Sequence, residues 1–191
     1  MPIRFTDDPN ELVNSNPMAF LAAMLLDQQV PITWAFAGPQ RLVDRLAIEF
    51  TAPAIAALDR STLAAAAAEK PAIHRYHKTM AHRLHDLAQW ICDQWDGDVR
   101  HLLATDHASE LADRLGALPG FGDEKVKITI AALVKRFDYT FVDWERVAAP
   151  FSDDQPRSVA DIGDPAALVA VRLWKKGQRD AGRSKQDSPA G

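Results

Sequence analysis

Residues 114–132 read RLGALPGFGDEKVKITIAA, and the five residues at their centre, Leu118-Pro119-Gly120-Phe121-Gly122, decide the architecture. The stretch before them, Ala108–Gly116, is a short helix by pattern. The stretch after them, Asp123–Phe137, is a longer one, apolar at Val126, Ile130, Leu133 and Val134. A tight hairpin between two helices needs glycine, because a Cβ blocks the backbone geometry of so short a reversal. Such a hairpin and the helix start behind it present bare N–H groups toward one point. With the helix dipole, those donors make a site for an anion the size of a phosphate. The blander reading of the same residues is an ordinary helical corner capped by glycine.

Working outward, helix follows helix. Asn16-Pro17 is an N-cap with proline at the first helical position. The helix it opens, Met18 through Gln29, is apolar almost all round and reads as a central buried helix. Gly38-Pro39 is expected to separate a helix over Pro31–Phe36 from another over Gln40–Phe50. Thr51-Ala52-Pro53 starts a short helix to Leu58, and Asp59 or Ser61 caps an alanine-rich one to Ala68. Pro71 opens the longest periodic segment. Ile73, Tyr76, Met80, Leu84, Leu87, Ile91 and Trp95 step by 3, 4, 4, 3, 4 and 4, one face of a helix that Asp96-Gly97-Asp98 ends. Leu102 and Leu103 belong to a further short turn of helix, and Asp164-Pro165 opens a last helix containing Leu168, Val169 and Trp174. Only Tyr139–Val142 carries a strand-like pattern. The expected class is all-α.

The 191 residues carry 22 Lys+Arg and 26 Asp+Glu, a net charge of −4, with 47% hydrophobic and 25% charged residues. That is ordinary globular usage and excludes a disordered or collagen-like chain. One cysteine, Cys92, excludes an internal disulfide framework, a four-cysteine zinc site and a cysteine-held iron–sulfur cluster. The longest apolar run, Met18–Leu26, is nine residues, too short for a bilayer. Residues 1–10 lack the pattern of a signal peptide. The expectation is a soluble intracellular protein, with no metal and no membrane contact. Mild acidity means that any polyanion must be met by a local basic surface.

Two clusters offer such surfaces. His74, His77, His82 and His85 lie within 12 residues, but the apolar stripe runs between them, so two exposed pairs are expected rather than a metal site. Lys70, Arg75, Lys78 and Arg83 share that region, with no acid between Lys70 and His85, and could touch phosphates. Arg172, Lys175, Lys176, Arg179, Arg183 and Lys185 form a second basic run against one acid, Asp180. It reads either as nonspecific affinity for DNA or as a solvated tail. The polar chain after Gly177 is expected to be disordered through Gly191.

Leu118-Pro119-Gly120-Phe121-Gly122, the downstream Asp143, and the upstream run Leu25-Leu26-Asp27-Gln28-Gln29-Val30-Pro31-Ile32-Thr33-Trp34-Ala35-Phe36 together resemble the helix-hairpin-helix (HhH-GPD) DNA glycosylase superfamily. The upstream run is similar to the corresponding segment of the alkylated-base and adenine-mismatch glycosylases. The resemblance covers about Pro17 to Val147 and looks closest to an actinobacterial base-excision-repair branch. It implies a six-helix barrel domain over residues 17–139, with a second small helical domain from residues 1–16 and 140–176. It further implies a bacterial, cytoplasmic, nucleoid-associated monomer on double-stranded DNA with a base flipped into a cleft. No cofactor is implied beyond a monovalent cation at the hairpin when DNA is bound.

The resemblance also implies roles. Asp143 would be the catalytic carboxylate, offsetting positive charge on the deoxyribose as the glycosidic bond breaks and orienting water. Its other reading is an N-cap on the next helix; Asp138 and Glu145 are substitutes. Leu118, Gly120, Phe121, Gly122 and Lys125 would contact the DNA backbone. Gln28 and Gln29 would fill the gap left by the flipped base, where the plainer reading is two solvated glutamines at a helix end. Trp34, Phe36 and Trp144, with Phe141, are candidate pocket walls, each of which also reads as core.

The chain departs from the family pattern twice. Bifunctional members carry a Schiff-base lysine two residues after the second hairpin glycine, and here that residue is Glu124. A one-residue shift would bring Lys125 there, but it would put Lys127 where a small buried residue belongs, a place that Val126 takes in the unshifted register. The reading is therefore monofunctional, with Lys125 as the alternative nucleophile. The run after Asp143, Trp144-Glu145-Arg146-Val147, is also shorter than usual. The rival readings are a non-catalytic DNA-binding or damage-sensing protein and a helical protein–protein adaptor.

Overall fold

The computed structural model describes residues 2–6 and 11–187. Its described residues form eleven α-helices and one 3-10 turn, with no strand beyond a single isolated bridge between His107 and Val142. The protein is all-α. The helices are α1 (Glu11–Ser15), α2 (Pro17–Leu26), α3 (Ile32–Leu46), α4 (Ala52–Ala56), α5 (Arg60–Ala68), α6 (His77–Trp95), α7 (Val99–Leu103), α8 (Ala108–Gly116), α9 (Asp123–Phe137), α10 (Trp144–Val147) and α11 (Pro165–Asp180), with the 3-10 turn at Val159–Asp161. None is long and apolar enough to cross a membrane.

The described residues fall into two compact units. The first comprises Asn10–Ala104 with Arg114–Phe121. Its centre is α2, whose residues Met18 to Leu26 are all buried, as an all-round apolar helix must be. The Asn16 side chain caps it by accepting from the Ala19 N–H at 3.1 Å, and its Nδ2 donates to the Phe50 carbonyl at 2.9 Å. Around α2 pack α1, α3, α6 and α7, while α4 and α5 lie against α6. The second unit comprises Met1–Pro9, Thr105–Asp113 and Gly122–Gly191. Here α9 packs on the 3-10 turn, where Lys135 Nζ reaches Asp161 Oδ1 at 2.7 Å with both side chains mostly buried. Packing therefore groups α9 with the chain after it, whereas the sequence boundary at residue 139 grouped it with the chain before.

Four local expectations give way to tertiary packing. Gly38-Pro39 does not divide two helices: α3 runs through both. The glycine is there for proximity, since a Cβ on it would lie 2.5 Å from Leu26 Cδ1 of α2. Proline 39 forfeits one backbone bond inside a helix that this packing holds together. The helix ends instead at Leu46, where Ala47 turns left-handed (φ 50°), so Phe50 reaches the core from a loop. The longest helix starts at His77, not Pro71. Residues 71–76 form a loop anchored by fully buried Ile73, whose N–H donates to Ala67 O at 3.0 Å. At the other end of the chain, α11 continues through Asp180. Buried Arg157 donates to the carbonyls of Lys185 at 3.0 Å and Asp187 at 2.6 Å, so the chain is tied down that far. Residues 188–191 lie outside the described residues.

Candidate nucleic-acid interface

The hairpin follows α8 as read from the sequence. Leu118 N–H donates to Leu115 O and Phe121 N–H to Leu118 O, both at 3.1 Å, which closes the reversal. Gly120 sits at φ +83°, a conformation that favours glycine. A Cβ on it would also meet Leu25 Cδ1 of α2 at 2.6 Å. Gly122 differs: its φ is −88° and a Cβ would meet nothing within 4 Å. What glycine leaves there is an exposed N-cap with no side chain over the start of α9. Leu118 and Phe121 are buried, at 2% and 6% exposed. Their side chains hold the hairpin from below, and only their backbone can face a ligand.

The first turn of α9 carries two acids, Asp123 and Glu124. Both are engaged: Asp123 pairs with Lys127 at 3.1 Å, and Glu124 with Lys185 at 2.8 Å and with the Gln186 amide at 3.1 Å. Lys125 is half-buried, and Val126, in the unshifted register, is buried.

The glutamine pair lies in the loop between α2 and α3, and the two residues are not equivalent. Gln28 is half-buried with its amide committed. Its Nε2 donates to Leu25 O at 2.9 Å, and its Oε1 accepts from Arg83 at 3.1 Å. Gln29 is exposed, and its backbone is left-handed at φ 56°. Leu25 thus meets both features: its Cδ1 abuts the hairpin glycine, and its carbonyl holds Gln28. The hairpin and the glutamine loop are both anchored on the last turn of α2.

Asp143 stands before α10 with a left-handed backbone (φ 61°) and makes no capping hydrogen bond. Effective caps approach from extended backbone, so the N-cap reading does not hold for its side chain. The carboxylate is 63% exposed and lies 3.4 Å from Arg146. Asp138 is the left-handed C-cap of α9, and Glu145 is exposed.

Among the aromatic candidates, Phe36 is fully enclosed in the core, and Phe141 is buried with its ring stacked on Tyr139 at 5.7 Å. Trp34 and Trp144 are half-buried, and the Trp34 indole N–H donates to Ala72 O at 2.6 Å.

The histidines do not form two exposed pairs. His74 is 0% exposed, off the helix, and bonded through both ring nitrogens to Gln28 O and the Tyr76 N–H. Its burial was invisible in the sequence, because the apolar stripe through Ile73 and Tyr76 suggested a helix on which His74 would flank the core. Among the described residues no group of three or more His, Cys, Asp or Glu is placed to hold a metal. Compared with family models, with curated proteins and with solved structures, the chain gives no match.

Proposed function

We propose that this chain is a monofunctional DNA glycosylase of the helix-hairpin-helix class, which excises a damaged or mispaired base from double-stranded DNA as a monomer in the bacterial cytoplasm. The observation that carries the reading is the junction at Leu25. One residue of the central helix seats the glycine hairpin on one side and holds the glutamine loop on the other. A phosphate-gripping hairpin and a residue that invades the base stack must share a rigid base to act on one duplex.

In this reading the backbone of Gly120 and Gly122 holds a phosphate, and Gln29 enters the space of the flipped base. Asp143 supplies the negative charge that offsets the developing positive charge on the sugar. As the bond between C1′ and the base nitrogen breaks, the base leaves with the electron pair, the oxygen of water bonds to C1′, and the proton that water gives up ends on the departed base. Glu124, paired with Lys185, stands where a lyase would need its amine, so the reaction stops at base release.

The test is a panel of duplexes, each with a single lesion or mismatch, incubated with the protein in excess and heated in alkali to cut abasic sites. Cleavage of at least one duplex is expected. Replacing Gly122 by a bulky residue, which has room to fold, should weaken duplex binding regardless of sequence. The exposure of Asp143 and its pairing with Arg146 favour one second reading, a non-catalytic damage sensor. Tight binding of one lesion without base release from any would establish it. Absence of salt-dependent duplex binding would point to the adaptor.

A further inference from the structure

We propose that the C-terminal segment 183–187 is a built part of the DNA-binding face, in which Lys185 is a positioning residue that screens Glu124 so that the start of α9 can receive a phosphate. This role rests on the DNA-binding reading above.

A solvated tail needs no anchor, and this segment has a buried one. Arg157 is 2% exposed. Its Nε and Nη2 donate to the Asp153 carboxylate at 2.7 to 3.0 Å, and its guanidinium lies 5.0 Å from the centre of the Trp174 ring. That pairing offsets the cost of taking the charge out of water. The remaining nitrogen, Nη1, donates to the carbonyls of Lys185 and Asp187 at 3.0 and 2.6 Å. Gln178, also buried, donates through Nε2 to the carbonyls of Ser184 and Asp187, both at 3.2 Å. Within the segment, the Ser184 N–H donates to the Asp187 carboxylate at 2.7 Å and the Gln186 N–H to Ser184 Oγ at 3.1 Å. The backbone that carries Lys185 is therefore fixed, and with it the root of the lysine side chain.

That side chain reaches Glu124 in the first turn of α9. Lys185 Nζ lies 2.8 Å from Glu124 Oε1, and Gln186 Nε2 donates to Oε2 at 3.1 Å, so the segment takes both carboxylate oxygens. Acids in a first turn favour the helix, but they repel a phosphate drawn to the same N–H groups. Asp123 is answered from within the helix by Lys127, four residues on. Glu124 has no such answer, because the residue four on is Ile128, which is 5% exposed and packs inward. The neutralising cation has to come from another part of the chain, and the anchored segment brings it. The side chains of Lys185 and Glu124 are 30% and 38% exposed, so salt screens this pair less than one held wholly in water.

The test uses the full chain and a duplex bearing a tetrahydrofuran abasic analogue, with affinity read by fluorescence anisotropy over a salt series. Lys185→Ala should weaken binding about five- to tenfold at low salt, the scale of one partly exposed like-charge contact, and the loss should shrink as salt rises. Lys185→Arg should bind like wild type. Glu124→Gln should bind at least as tightly as wild type, and Lys185→Ala in that background should cost less than twofold, because the charge to be screened is gone. Arg157→Leu, which frees the segment, should lose as much as Lys185→Ala; where it does not fold, the cycle between Lys185 and Glu124 carries the test, since both side chains reach the surface. Wild-type affinity in Lys185→Ala would overturn this inference and leave the DNA reading standing. So would a loss that persists undiminished beside Glu124→Gln, which would make Lys185 a direct phosphate contact. A wild-type chain that binds no duplex at any salt would overturn both.

Discussion

Replacing Gly120 by alanine separates conformation from contact at the hairpin. The residue sits at φ +83°, and an added methyl would lie 2.6 Å from Leu25 Cδ1. Holding an L-residue in the left-handed region costs about 1–2 kcal/mol, and forcing a methyl into a packed site costs about 1–3 kcal/mol. Leu25 is 0% exposed, so its Cδ1 can make way only by shifting inside the core, and the packing cost adds to the conformational one. Together they come to about 2–5 kcal/mol. With a urea slope of about 2 kcal/mol per molar, the midpoint should fall by roughly 1–2.5 M at unchanged slope. Gly122→Ala is the control. Its φ of −88° suits any residue and its Cβ would meet nothing within 4 Å, so its stability should stay within about 0.5 kcal/mol of wild type. Helical circular dichroism against urea reads both. A Gly120→Ala variant as stable as wild type, or a Gly122→Ala variant destabilised as much as Gly120→Ala, would refute the seating of the hairpin on α2.

Asp143→Asn should fold normally and keep or tighten duplex affinity, while single-turnover base release falls about 100-fold or more, the scale of one well-placed electrostatic stabiliser. Near-normal release in that variant, with loss in Asp138→Asn or Glu145→Gln, would move the catalytic role. Borohydride should trap no covalent protein–DNA adduct on the preferred substrate; an adduct that disappears in Lys125→Ala would mean that Lys125 is a nucleophile. Asp98 caps α7, and its carboxyl is held below the usual range chiefly by the side-chain hydrogen bond from Arg100, which outweighs partial burial. Its folded form therefore resists protonation more than the unfolded chain does. The stability this contributes is complete above the ordinary carboxylate range and is lost as pH falls through the lowered value. Urea midpoints followed into acid should fall less steeply in Asp98→Asn than in wild type.

Local chemistry decided much of this fold by itself. Asn16-Pro17, Thr51 and Asp164-Pro165 mark helix starts because capping and proline geometry involve only neighbours in the chain. Periodicity placed α8 and α9, and nine successive apolar residues could only be a buried helix. The place of the hairpin was legible for the same reason, since a proline and two glycines between two helices mark a reversal locally. Where contact with distant chain outweighs local preference, the sequence was silent. Gly38-Pro39 reads as a break, and it is a helix interior in which a Cβ on Gly38 would lie 2.5 Å from Leu26 Cδ1. Gly120 and Gly122 look alike in sequence, yet Leu25 and a positive φ constrain only the first. Gln28 and Gln29 are chemically identical, and only the positions of Leu25, Arg83 and His74 commit one amide and leave the other exposed. His74 lies 46 residues from Gln28 in the chain, and no local pattern predicts a hydrogen bond over that separation. Its burial is offset by partners that only the folded chain brings within reach.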